Sequence, residues 1–265
     1  MGIVNVTPDS FSDGGRFLAH DAAIAHGLAM AEAGADLVDV GGESTRPGAA
    51  GVDADAEIDR VVPVVKALAD RGALVSIDTS KAVVAAAAIE AGAVVVNDVT
   101  ALGDPGMAGL VADAGVGLVL MHMKGTPRTM QIDPQYDDVV AEVRDFLVER
   151  AALAESAGIA RDAVCIDPGI GFGKNLDHNL ALLAQIQVLA ATGYPVLVGA
   201  SRKSWITHLL GDMDQSDRDL VTTTAHALAI AGGAAAVRVH DVVAGLRSAR
   251  TVDAMVRWSA KGLVR

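Results

Sequence analysis

The sequence predicts a closed (β/α)8 barrel, an α/β fold, as one domain over residues 1–265. Three observations carry this. Short apolar, strand-like runs recur eight times along the chain. Ala-rich segments with helical periodicity lie between them, and strict β-α alternation means a parallel sheet. Finally, every strand but the fifth delivers a charged or amide side chain to one rim, while the opposite rim carries Ala-Gly-Ala-type turns, as at residues 33–35 and 91–93, the asymmetry of a catalytic barrel. An open doubly wound sheet is the alternative, but it usually has fewer strands and a glycine fingerprint after the first one.

The strand-like runs are residues 2–6, 37–40, 74–77, 94–96, 117–121, 164–166, 196–198 and 235–239. Each is short and rich in Val, Ile, Leu or Ala, as strands buried on both faces are. Helical stretches follow at 22–33, 54–70, 81–91, 138–157, 179–191 and 220–231, and 243–258 closes the chain. Hydrophobic residues make up 51% of the chain, enough to bury both faces of such a sheet.

Composition excludes several functions. A formal net charge of −12 repels nucleic acid and anionic membrane. No run of about 20 apolar residues exists, so no membrane span is expected. The N-terminus has no basic stretch before an apolar core, so no secretory signal is expected. Cys165 is the single cysteine, which fits a reducing, cytoplasmic setting and the role of a small buried hydrophobe.

In a barrel, chemistry gathers where strands end. Strand one ends at Asn5, strand three at Asp78-Thr79, strand four at Asn97-Asp98 and strand five at Met121-His122. Strand six runs into Asp167-Pro-Gly-Ile-Gly-Phe-Gly-Lys174, a carboxylate followed by glycines, one aromatic and one base. A capping turn would also explain that stretch. It is no phosphate loop, because Asn175 follows the Lys where Ser or Thr is needed.

Asp78, Asn97 and Asp167 offer two carboxylates and an amide in one mouth. They suit a neutral heterocycle rich in N–H donors, since one carboxylate can accept two parallel N–H bonds. A divalent cation with oxygen ligands is the competing reading. Arg238 and His240 lie two apart on one strand and so point the same way. With Lys203 and Arg46 they form a basic cluster in an acidic protein, as a phosphate or diphosphate demands. The other histidines, among them His20, His26, His178, His208 and His226, fall in helical stretches as solvated or packing residues. The first two loops are long, polar and rich in Gly and Ser. Their apolar tips Phe11 and Pro47 could close over a flat ring.

Seven blocks in chain order resemble the dihydropteroate synthase family of pterin-binding enzymes. They are Met1–Gly15, Gly41–Gly48, Ser76–Ser80, Asn97–Val99, Asp167–Lys174, Ser201–Ser204 and Arg238–Asp241. The resemblance covers nearly the whole chain. It implies a (β/α)8 barrel, a homodimer, and a transferase of folate biosynthesis that is the target of sulfonamides. The reaction it implies joins 6-hydroxymethyl-7,8-dihydropterin diphosphate to 4-aminobenzoate and releases pyrophosphate.

By position, the resemblance implies that Asp78, Asn97, Asp167 and Lys203 hold the pterin, with Met121 beside it. Asn5 would reach Mg2+ on the diphosphate. Thr45, Arg46, Arg238 and His240 would hold the diphosphate. Phe11, Pro47, Phe172, Lys203 and Ser204 would frame the aminobenzoate, and Asp13 would order the first loop. Family members usually carry residues ahead of the first block, whereas this sequence opens within it. Trp205 and Thr207 stand where Phe and Gly are expected, as packing changes. A pterin-binding methyltransferase on a related barrel would need no diphosphate site, so the basic cluster argues against it. A non-catalytic paralogue is the remaining alternative.

Overall fold

The computed structural model describes residues 1–6, 16–46 and 48–260. Phe11, Asp13 and Pro47 therefore lie outside the described residues. Among the described residues, eight parallel strands form the centre. They are β1 (Gly2–Asn5), β2 (Val38–Gly41), β3 (Val75–Asp78), β4 (Val95–Asp98), β5 (Gly117–Met121), β6 (Val164–Asp167), β7 (Leu197–Val198) and β8 (Ala236–Val237). The first six make one sheet in chain order, and β7 pairs with β8. Single parallel bridges join the two sheets at both seams, Ile166 to Val196 and Gly2 to Val239. At the second seam the Ile3 N–H donates to the Val239 carbonyl at 3.0 Å and the Val239 N–H to Met1 at 3.0 Å. The eight strands thus close on themselves, as the alternation predicts, and the open sheet is excluded.

The helices are α1 (Arg16–Glu32), α2 (Ala54–Ala69), α3 (Ala82–Glu90), α4 (Met107–Ala114), α5 (Val139–Ser156), α6 (Leu176–Ala184), α7 (Ile186–Ala190), α8 (Trp205–Leu210), α9 (Gln215–Ala231) and α10 (Val242–Ala260). Capping fixes where several begin. Asp53 accepts the Ala56 N–H at 2.9 Å to start α2, Asp138 caps α5, and Asp214 caps α9. Asn175 and His178 form a reciprocal capping box on α6, so His178 is a capping residue. The predicted 179–191 helix divides at Gln185 into α6 and α7. Helix α4, short and apolar, was not expected from the sequence.

Alternation along the strands separates two environments. Val38, Val40, Val75, Ile77, Val96, Leu118, Leu120, Val164 and Ile166 are at most 1% exposed and face the helices, where the core lies. Asp98 shares that outer face. Its carboxylate accepts from the Thr100 N–H and hydroxyl and the Leu102 N–H, so it holds the turn after β4 and leaves Asn97 alone to face inward. The inward layer near the strand ends runs Asn5, Gly41, Asp78 and Asn97 in register. One layer deeper run Ile3, Asp39 and Ser76. Met121 and Asp167 pair in register above.

Candidate active site

A cavity of about 680 Å3 opens where the strands end. Asn5, Thr45, Arg46, Asp78, Phe172, Lys203, Ser204, Arg238 and His240 line it, as the sequence predicts. Asn97, Met121 and Asp167, each at most 5% exposed, are buried at the inner strand ends. Gly199 and Gly41 lie beside the carboxylates: a Cβ on Gly199 would stand 3.6 Å from Asp167 Oδ2, and one on Gly41 3.4 Å from Asp78 Cβ, both ordinary contacts.

A buried ion cluster crosses the interior. Arg238 Nη2 donates to Asp78 Oδ2 at 2.7 Å, and its Nε to Asp39 Oδ2 at 2.6 Å. Asn97 Nδ2 donates to the same Asp39 oxygen at 3.1 Å. Arg238 is therefore not the free cation that the sequence grouped with Arg46 and Lys203; two carboxylates neutralise it. Burial pushes the Asp78 carboxyl up to about 7, with Arg238 pulling the other way and Asp39 and Glu57 adding to the rise. Burial also raises Asp167, against Lys203 and the Gly169 N–H, which donates to Asp167 Oδ1 at 2.7 Å.

Asp39 was missed by sequence reasoning. Its signal was a carboxylate inside the apolar run Leu37–Val40, where a strand buried on both faces has no use for charge. Asp39 Oδ1 and its register neighbour Ser76 Oγ are buried with no partner among the described residues.

His240 differs from its expected role as a base. Burial, and then the nearby Arg202 and Arg238, lower it to about 4. It is neutral at pH 7 and exchanges a hydrogen bond with Ser201 Oγ at 3.0 Å from Nδ1. It can offer an anion an N–H rather than a charge. Arg202 is held by Asp219 through two bonds of 2.7 and 2.6 Å. Arg46 is exposed at the rim. His226, on α9, is fully buried, and its Nε2 accepts the Ala200 N–H at 3.2 Å.

The glycine stretch after β6 has a steric logic. Gly169, Gly171 and Gly173 all have positive φ, at 66°, 84° and 65°. A Cβ on Gly169 would sit 1.9 Å from the His122 carbonyl oxygen, and one on Gly173 2.4 Å from that of Lys124. The loop lies flat against the β5 exit and presents Phe172 to the cavity. Lys203 Nζ donates to the Ile170 carbonyl at 2.6 Å and stands 4.4 Å from the centre of the Phe172 ring. Burial lowers Lys203 to about 8, with Asp167 opposing.

Lys174 ends this stretch, and the sequence assigned it no role of its own. It is 2% exposed. Its Nζ meets His122 Nδ1 at 2.9 Å and the Phe172 carbonyl at 2.9 Å, which ties β5 to the loop below Phe172. Burial depresses both groups, His122 to about 3.

The β2 loop is anchored from beneath. Lys81 Nζ bonds the carboxylates of Glu43 and fully buried Glu57, and Arg60 Nη1 donates to the Gly42 carbonyl at 2.8 Å. The root of the loop is fixed while Thr45 and Arg46 reach the cavity. Trp205 is 3% exposed and packs in the core with its indole N–H on the Ala200 carbonyl at 3.0 Å, whereas Thr207 accepts from Arg218 and so ties α8 to α9.

Comparison with known proteins agrees with this geometry. The family model described as pterin binding enzyme matches residues 1–240. Dihydropteroate synthase of Escherichia coli is 47% identical over 255 residues, covering 96% of this chain and 90% of that protein. The Yersinia pestis dihydropteroate synthase, solved as a sulfonamide drug complex, superposes with a TM-score of 0.90 at 45% identity over 96% of this chain and 93% of that one. That of Xanthomonas albilineans in complex with 7,8-dihydropteroate gives 0.85 at 45% identity over 100% and 94%. Likeness of this extent, in sequence and in backbone, is not confined to the barrel architecture, and the chain belongs to the dihydropteroate synthase family of pterin-binding enzymes.

Proposed function

We propose that this chain joins 6-hydroxymethyl-7,8-dihydropterin diphosphate to 4-aminobenzoate and releases pyrophosphate. The observation that carries the reading is one cavity with two chemistries. Half-buried Asp78 lines it, with buried Asn97 and Asp167 at the neighbouring strand ends as further amide and acceptor, and Thr45, Arg46, Lys203 and His240 line its mouth.

The pyrimidinone edge of a pterin presents parallel N–H donors, which a buried carboxylate accepts in pairs. Asp167 and Asp78 take that role, with Asn97 fixed by Asp39. Arg238, locked between Asp39 and Asp78, offers the flat face of a guanidinium beside the ring. Arg46, the Thr45 hydroxyl and the N–H of neutral His240 hold the diphosphate. Phe172, Lys203 and Ser204 frame the aminobenzoate, whose carboxylate the ammonium of Lys203 attracts. Phe11 and Pro47 are proposed to join that frame, and Asp13 to order the first loop.

Among the described residues no group of three or more His, Cys, Asp or Glu could hold a metal ion. Asn5, lining the cavity with an amide oxygen, fits Mg2+ only as one ligand among diphosphate oxygens and water, a habit of that ion. So bound, it would offset charge on the leaving group.

In the reaction the aniline nitrogen forms a bond to the pterin methylene carbon as the carbon–oxygen bond to diphosphate breaks. The nitrogen then loses a proton to solvent. The residues contribute position and electrostatics: they align nitrogen and carbon and stabilise charge growing on the diphosphate. Homodimer assembly and a cytoplasmic setting are part of the same proposal. The test is pyrophosphate release on mixing the protein with both substrates and Mg2+. Release that needs both substrates supports the reading, and binding of pterin without any release returns the chain to a non-catalytic role.

A further inference from the structure

The connection from β5 to α5, residues 122–138, is longer than such connections usually are. It is also firmly built. The Met130 N–H closes a turn on the Thr126 carbonyl at 2.7 Å. Gln131 Nε2 donates to the Gly171 carbonyl at 2.6 Å, and the Tyr136 hydroxyl to that of Gly173 at 2.8 Å. On its other flank the Gly48 N–H donates to the Pro127 carbonyl at 3.0 Å. The connection thus bridges the β2 loop and the glycine loop that carries Phe172. What it delivers between them is Met130, which lines the cavity and is only 3% exposed.

We propose that Met130 is a specificity-determining residue for the aromatic amine. The inference rests on the transferase reading above. Met130 belongs to the amine end of the cavity, because its neighbour Gln131 is bonded next to Phe172, whereas the pterin acceptors lie at the inner strand ends. A thioether packs well against the edge of an aromatic ring. Buried itself and held by a closed turn, it leaves little room for substituents beside the amino group. A methyl there meets the Met130 side chain, while the unsubstituted ring passes.

The experiment compares 4-aminobenzoate with 4-amino-3-methylbenzoate in the wild type, Met130→Ala and Met130→Leu. The expected result for Met130→Ala is a kcat/KM ratio moved toward the methylated amine by about tenfold, the scale of one methylene in a pocket. The KM of the pterin diphosphate should be little changed, which loss of structure alone would not produce. Met130→Leu, of similar volume, should keep the wild-type ratio. If Met130→Ala does not fold, Met130→Val reads the same ratio. Wild-type turnover with an unmoved ratio in the smaller variant overturns the inference alone, as does an equal loss toward both substrates. A wild type that forms no product from either amine overturns the reading on which it rests, and this inference with it.

Discussion

Replacing Asp39 with Asn tests the buried cluster at its least obvious member. The substitution keeps shape. The Asn carbonyl can accept from Arg238 Nε and Asn97 Nδ2 as Asp39 Oδ2 does, and its amide falls where Asp39 Oδ1 now has no partner, beside Ser76. What is lost is one buried charge. Removing one partner of a buried ion pair costs about 3–5 kcal/mol. Here Arg238 keeps Asp78 at 2.7 Å, so a cost of about 2–3 kcal/mol is expected in urea unfolding.

The second consequence is chemical. Asp39 helps push Asp78 up to about 7, and Arg238 pulls it down. Without Asp39 the guanidinium serves Asp78 alone, and Asp78 becomes more acidic. A protonated Asp78 has fewer acceptors for the pterin, so kcat/KM for the pterin diphosphate should fall in the wild type as pH drops through about 7. In Asp39→Asn that midpoint should move down by about one pH unit. A midpoint that stays or rises, in a variant that remains folded at the assay temperature, would refute the coupling of Asp39 to the site.

Asp167→Asn should weaken binding of a pterin analogue by about 1–3 kcal/mol, because an amide cannot accept two N–H bonds and leaves a donor unpaired; calorimetry reads this. Gly169→Ala should cost more than about 4 kcal/mol or prevent folding, since the new Cβ would lie 1.9 Å from the His122 carbonyl at a φ of 66°. Gly171→Ala meets only the flexible Lys203 side chain, at 3.3 Å, and should be the milder in thermal melts. His226 is lowered to about 4 by burial, so the folded state binds fewer protons than the unfolded one between about pH 6.5 and 4. Stability from this group is present above that window and is lost as pH falls through it, by up to about 3 kcal/mol. His226→Gln should flatten that part of the stability profile.

The barrel was legible in the sequence because its periodicity is local. Val38, Val40, Val75 and Ile77 had to be buried on both faces, and helices had to follow, so alternation alone implied a cylinder with chemistry at one rim. Strand ends could be read the same way, which placed Asp78, Asn97, Asp167, Lys203 and His240 at one mouth. Asn97 and Asp98 could be separated only by register, since one-residue alternation sends the first inward and the second to the helices. Partners were beyond the sequence. Arg238 meets Asp39 across 199 positions of chain, and that distance decides whether it is a free cation or a neutralised one. Burial likewise turned His240 from a base into a neutral donor. Met130 belongs to no motif, and Lys174 ends one that does not say what its side chain meets. They reach the site only because the β5 and β6 exits pack together, and side-chain charge, pairing and confinement are properties of that packing rather than of local order.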